Sequence, residues 1–348
     1  MNQKAKIIKP KKKFGWANII NYLRCLWSNR IAADFGLNKK WYIAVIVAII
    51  SVVISIIPVT VTAATSKGSS FLNTTYVYNY DEGFYSFLED AKSKGYDITF
   101  DQKNATCALN GYVTESSNDY LLYKHEIIKN DGSNFIDFQV YFVDTTPLSD
   151  EFVNSLLSEI STKKINSVDG RDASYIIFTT KSFITRIYKP TSYTAAGGIY
   201  GDYANLSTNH AKLTDLLVNK SSSTRLENIS ATLTNYKELL DEIYISTRTT
   251  VTLNQTWMIA AVNAGIVLLF GLVVFLLTRG KNNPNRGIKF QQCYNITYWC
   301  ATSPALLSLI LGFMFSNFQV MLFVMLFGFR IMWLGMRTLS VNNAPLVK

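Results

Sequence analysis

The chain has 348 residues, 49% of them hydrophobic and only 17% charged, with a formal net charge of +10, four cysteines and two histidines. The charge is partitioned: residues 65–255 carry 17 Lys/Arg against 23 Asp/Glu, and all the rest carries 17 basic residues and one acid, Asp34. That split excludes a soluble enzyme, a secreted disulfide scaffold and a nucleic-acid binder with a uniformly basic face.

The first forty residues open on a basic arm: Lys4, Lys6, Lys9, Lys11, Lys12 and Lys13. Trp16, Ile19, Ile20, Leu23, Trp27 and Ile31 then recur at helical spacing, with Asn18, Asn21, Arg24 and Ser28 off the stripe. The spacing predicts one amphipathic helix lying in the inner membrane interface, its Lys arm drawn to anionic lipid. Trp16, Ile20, Leu23 and Trp27 are therefore candidate membrane or partner contacts. The helix reads either as a topology anchor or as a docking helix; nucleic acid is not expected as a partner.

A bilayer-spanning helix needs about 20 mostly apolar residues. Four stretches qualify: 41–64, 257–278, and a hairpin of about 293–315 and 318–339 interrupted by Ser316 and Asn317. Basic residues flank them in three places: residues 1–40, the loop 279–292 (Arg279, Lys281, Arg286, Lys289) and the end of the chain (Arg337, Lys348). Lys/Arg in short loops stay cytoplasmic, so four spans put both termini inside and residues 65–256 outside. Val61-Thr62-Ala63 resembles a signal cleavage site, but forty residues precede the apolar run and the run is too long for a signal peptide.

Pro58 and Pro304 predict kinks within spans. Arg330 falls about twelve residues into the fourth span. An arginine there is costly, so it either snorkels to the cytoplasmic side or meets a partner. Asn263, Asn295, Thr297, Thr302 and Ser303 are the polar candidates. No acid lies in any span, which argues against a proton-coupled transporter.

The inserted segment carries both helix and strand signals. Glu82–Lys94 is helical and stops at Gly95, and Ser149 can cap a helix reaching Ile160 with Asp150 and Glu151 in its first turn. Ile136, Phe138, Val140 and Phe142 alternate with Asp137, Gln139 and Tyr141, predicting a strand with one buried face. Tyr175–Thr179 and Phe183–Tyr188 are β-branched and aromatic runs, and Thr191–Ala204, with three Gly and three Tyr, reads as a surface loop or a binding lid. The fold expected is a membrane protein of four transmembrane α-helices, one plus three, with an α+β extracellular domain between the first and second. Leu226, Ile229, Leu233, Tyr236, Leu240 and Ile243 recur at alternating spacings of three and four just before the second span. They form a seam that either packs on its own domain or makes a stalk or dimer contact.

Signatures of chemistry are missing. Cys107 is the only cysteine in the inserted segment, so no internal disulfide is expected there. His125 and His210 sit in no HExxH or Cys/His cluster, and there is no Walker A sequence, GxGxxG after a strand or GxSxG elbow. No catalytic residue, metal or cofactor is expected. All six tryptophans lie in or near apolar segments, as interface anchoring requires.

The run Gly287–Phe313 (GIKFQQCYNITYWCATSPALLSLILGF) combines a basic, aromatic entry with small residues and Pro304. With Val140–Asp150 and Tyr175–Ile187, and with the order of helix, span, domain and three spans, it resembles the MalA-like family of polytopic membrane proteins from low-GC Gram-positive bacteria, which is distantly Yip-like. The resemblance implies association with maltodextrin uptake beside an ABC importer and supplies no catalytic residues. The expected function is a non-enzymatic accessory subunit in the bacterial cell membrane, contacting transporter subunits and a solute-binding protein. A membrane sensor signalling through a partner, and a permease-like half of a mechanotransmitting ABC system, are the alternatives.

Overall fold

The computed structural model describes residues 16–73, 78–111, 120–128, 134–145, 155, 173–188, 195–315, 318–340 and 346. The basic arm, the helix expected over 149–160 (Ser155 apart), Ser316, Asn317 and Lys348 lie outside the described residues. The chain divides into two units, Thr65–Val251 and the combination of Met1–Ala64 with Thr252–Lys348.

Among the described residues, four helical segments are long and apolar enough to cross a membrane: Trp41–Ala64, Arg225–Thr278, the pair within Phe290–Met314, and Gln319–Arg337. A sheet-containing region lies between the first and second. In chain order the helices are α1 (Trp16–Arg24), α2 (Asn29–Asn38), α3 (Trp41–Ala64), α4 (Tyr78–Lys94), α5 (Arg225–Thr278), α6 (Phe290–Cys300), α7 (Thr302–Met314) and α8 (Gln319–Arg337).

In the helical unit the apolar pattern is inverted relative to a water-soluble protein. The buried face of α3 is small: Ala44, Ala48, Ser51, Ser55, Pro58, Val59 and Ala63. Its large residues Ile46, Ile49, Ile50 and Val53 face outward. Helices surrounded by hydrocarbon pack this way, because small residues let backbones approach and side-chain hydroxyls bond across. Asn263 Nδ2 donates to Ser55 Oγ at 2.9 Å, and the Thr60 and Thr256 hydroxyls are 3.0 Å apart. Pro58 sits in an unbroken helix, against Gly312 of α7, where an added Cβ would lie 2.8 Å from the proline ring. The third apolar segment is interrupted at Ala301, three residues before Pro304. Pro304 has no N–H to give the Cys300 carbonyl four residues back, which ends one helix and starts the next.

Residues 16–31 do not form one helix. The chain breaks after α1, and α2 starts afresh with Ser28 as its N-cap, its hydroxyl accepting from the Ile31 amide at 3.4 Å. Ile20, Leu23 and Trp27 are exposed, one apolar face of the first segment. The second segment is packed inward. Ala32, Ala33, Phe35 and Gly36 are buried, and a Cβ on Gly36 would lie 2.5 Å from the Ile296 amide of α6.

Among its described residues the inserted unit has two sheets. The hairpin β1 (Asp97–Asp101) and β2 (Thr106–Asn110) is antiparallel. The larger sheet contains β3 (Leu121–Ile128), β4 (Asn134–Val143), β5 (Ser174–Thr179), β6 (Ser182–Tyr188) and β7 (Ala195–Asp202) side by side in that order. Among these described strands β4 and β5 pair in parallel and the other neighbours are antiparallel. The expected 191–204 loop is a correction: from Ala195 its glycines are in an edge strand, where they admit close neighbours. A Cβ on Gly197 would lie 2.7 Å from Phe71 Cβ. β4 is a second correction, since Asp137, Gln139 and Tyr141 are buried as well as Phe138 and Val140. On the second face Tyr141 and Val143 pack with Tyr175 and Ile177 of β5, so alternation does not mark an open side.

The core of this unit joins α4, the first half of α5 and one face of the sheet: Phe84, Phe87 and Leu88 meet Tyr236, Leu240, Phe138, Ile176 and Phe183. Gly36→Leu should drive a side chain into the α6 backbone and destabilise the protein by about 1–3 kcal/mol. Thermal unfolding of the purified chain in detergent measures it, and an unchanged midpoint would contradict the close α2–α6 packing.

Candidate functional site

Each unit holds one arrangement of polar groups that demands an account. In the helical unit it centres on Arg330 of α8, which is only 9% exposed. Its Nη2 donates to the Cys25 carbonyl at 2.5 Å and its Nε to Asn29 Oδ1 at 3.3 Å. Cys25 immediately follows α1, where helix carbonyls lack intrahelical donors and a cation is favoured. Asn29 is the first residue of α2. Arg330 thus closes the break between the two helices. Its Nη1 is buried and has no hydrogen-bond partner among the described residues.

This corrects the sequence-based choice of neighbours. Arg330 meets α1 and α2 instead of Asn263, Asn295, Thr297, Thr302 or Ser303. Thr297 and Thr302 bond carbonyls of their own segment, those of Cys293 and Trp299. Neither Cys25 nor Asn29 was legible as an arginine partner, because the first is a carbonyl at an unforeseen helix end. Beside them, Tyr22, Phe35 and Trp299 form an aromatic cluster with ring centroids 5.0–5.9 Å apart. Lys39 Nζ lies 5.3 Å from the Tyr22 and Phe35 rings. Of the other predicted contacts, Pro304 is buried in the bundle, and the Trp16 side chain lies outside the described residues.

A second feature of this unit is a groove of about 650 Å³ between α3 and the apolar half of α5. Ala48, Val52, Trp257, Ala260, Ala261 and Ala264 are among its lining residues.

In the inserted unit the predicted seam turns inward. Tyr236, Leu240 and Ile243 are fully buried, Leu233 packs against the same core, Ile229 is buried and Leu226 is exposed. Tyr236 and Tyr80 share a hydroxyl bond of 2.7 Å, and Tyr80 bonds Thr185 at 2.7 Å. Arg225 at the start of α5 reaches Glu82 and Glu89 of α4 at 2.7 and 2.9 Å.

Both histidines are paired. Ser207, His210 and Glu242 have the residue types of a nucleophilic triad, but Ser207 Oγ (3.2 Å) and Glu242 Oε2 (2.7 Å) approach the same ring atom, Nδ1. A triad needs the acid and the nucleophile on opposite nitrogens. Glu242 also accepts from the Ser207 amide at 2.9 Å, so the trio clamps the 203–210 turn to α5. Ser207 and His210 are near in sequence; Glu242, 32 residues beyond His210, could not be read from spacing. His125 Nδ1 is 2.9 Å from Asp137 Oδ1, and that bond lifts the imidazole above its ordinary range. Among the described residues no group of three or more His, Cys, Asp or Glu is placed to hold a metal ion. Cys107 is a free, buried thiol donating to the Thr179 carbonyl at 2.9 Å, and burial pushes it up to about 12.

No family model matches the chain, and neither a curated protein nor a solved structure matches it.

Asp81, near the start of α4, is a poorly compensated carboxyl of the inserted unit. Burial raises it from 3.8 to about 7, with only partial relief from Lys237, and its Oδ1 has no hydrogen-bond partner among the described residues. The folded state therefore holds this proton more tightly than the unfolded chain, and the carboxyl lowers stability as pH rises from about 4 to about 7. Asp81→Asn should match wild type at pH 4 and be more stable by about 1–3 kcal/mol at pH 8. Thermal unfolding across that range reads the difference, and a gap independent of pH would refute the assignment.

Proposed function

We propose that the chain is a non-enzymatic integral membrane subunit accompanying a transport complex. Its inserted α+β domain lies outside a bacterial cell and its termini lie in the cytoplasm. The resemblance noted in the sequence supports oligosaccharide uptake by a maltodextrin-type ABC importer as the task of that complex, with a permease and a solute-binding protein as partners.

The observation that carries this reading is the lateral groove between α3 and α5. Ala260 and Ala264, and Ala261 and Gly265, stand four residues apart on α5. Nothing occupies the space where a Cβ on Gly265 would be. Small residues at that spacing let a second transmembrane helix approach closely, and packing is the main force between helices in lipid. Arg330 supports the same reading, because it is spent on fastening the chain's own helices and is not left lining a path for an ion.

Purification in mild detergent should recover transporter subunits with the wild-type chain. Ala261→Trp should reduce their recovery about tenfold, the effect of losing about 1.4 kcal/mol of binding, with no change in unfolding midpoint. Absence of every transporter component from the wild-type preparation would sink the proposal.

A further inference from the structure

A surface cavity of about 360 Å³ lies on the inserted unit, where β6 runs beside the edge strand β7. Side chains alternate along β6. Phe183, Thr185 and Ile187 are fully buried on the side of α4 and α5. Ile184 and Arg186 therefore belong to the opposite face of the sheet. Tyr200 stands across from Ile184 and Gly198 across from Arg186, so both share that face.

Arg186 is exposed, and among the described residues it has neither an ion pair nor a side-chain hydrogen bond. Its cross-strand neighbours, Tyr175 and Gly198, are uncharged. No acid is among the described residues that line the cavity. Asp202, the acid of β7, lies four positions beyond Gly198, and its carboxylate accepts from the Ala204 amide at 3.0 Å. Tyr200 is 54% exposed. A tyrosine ring on a strand offers a rigid stacking surface that loses little conformational freedom on binding. Gly197 and Gly198 line the space between the two side chains and put nothing into it. Glycines inside a strand mark places where a ligand can come close to the backbone.

We propose that this cavity binds a small organic carboxylate built on a single ring, with Arg186 holding the carboxylate and Tyr200 covering the ring. A guanidinium and a carboxylate form two parallel hydrogen bonds, which fixes the orientation of the anion as well as attracting it. Tyr200 and Ile184 supply contact area that a bare anion cannot use. The volume is at the lower end of small-molecule sites, about 300–1,000 Å³, which suits one ring. The two sources of that chemistry are a sugar acid and an aromatic acid. The site belongs to the inserted unit alone and does not depend on the transport-complex reading.

The full chain in detergent is titrated with glucuronate and with benzoate. Glucose has the ring without the charge, and acetate has the charge without the ring. Saturation-transfer NMR reads each Kd. A ring acid should bind with a Kd of about 0.1–1 mM, and glucose and acetate at least tenfold more weakly. Tighter binding of glucuronate assigns a sugar acid, and tighter binding of benzoate an aromatic acid. Arg186→Gln should weaken the ring acid at least tenfold, and Tyr200→Ala about fivefold. Arg186→Lys keeps the charge, loses the fork and should weaken it as well. Both side chains are exposed, so the unfolding midpoint should not move in any of the three variants. The proposal is overturned if neither acid binds saturably, if glucose or acetate binds as tightly as the ring acids, or if Arg186→Gln binds like wild type.

Discussion

A guanidinium cannot be left in an apolar helical bundle without acceptors, and the helical unit is arranged around that requirement. Arg330 draws the Cys25 carbonyl and Asn29 to α8. Those bonds fix where α1 ends and where α2 begins. Once α2 begins there, Gly36 can approach Ile296, and Phe35 can enter the aromatic cluster with Tyr22 and Trp299. The segment that its apolar stripe would lay flat on a membrane is, over its second half, part of the bundle. The cost of burying a charge is offset by structure that the charge itself organises.

The inserted unit meets the same requirement with different means. Its core is aromatic, and its buried hydroxyls form a closed chain from Thr185 through Tyr80 to Tyr236. The chain ties the sheet, α4 and α5 to one another. Ion pairs from Arg225 to Glu82 and Glu89 fasten the outer edge of the same joint, and Glu242 fastens the 203–210 turn. Exposed pairs of this kind contribute little individually; the buried aromatic contacts carry most of the stability. Asp81 and Asp137 each keep one buried oxygen without a hydrogen bond among the described residues.

Much of the architecture was legible because its causes are local. Twenty apolar residues in a row, basic flanks and a stop at Gly95 act through hydrogen bonding and solvation within one segment. The strands β5 and β6 were legible for the same reason. The glycine-rich edge strand was not, because Gly-Gly disfavours a strand locally and becomes one only when Thr185, Arg186 and Phe71 lie against it. The covered second face of β4 was not legible either, since the parallel partner β5 enters thirty residues later.

The sequence by itself determined that the chain has four segments suited to hydrocarbon and one polar insert, because solvation depends on composition. It also showed that Arg330 had to reach either the cytoplasmic side or a partner, because an arginine among apolar residues is expensive anywhere. Only the tertiary structure decided between them and showed the partners, Asn29 and the Cys25 carbonyl. The Cys25 carbonyl is a backbone atom, identical in every residue, and it becomes an acceptor only where a helix ends. The same holds for the Leu233–Ile243 stripe and for His210. A heptad pattern is compatible with a partner helix or with the chain's own core, and a histidine with several roles. The choice belongs to whichever groups the fold brings within bonding distance.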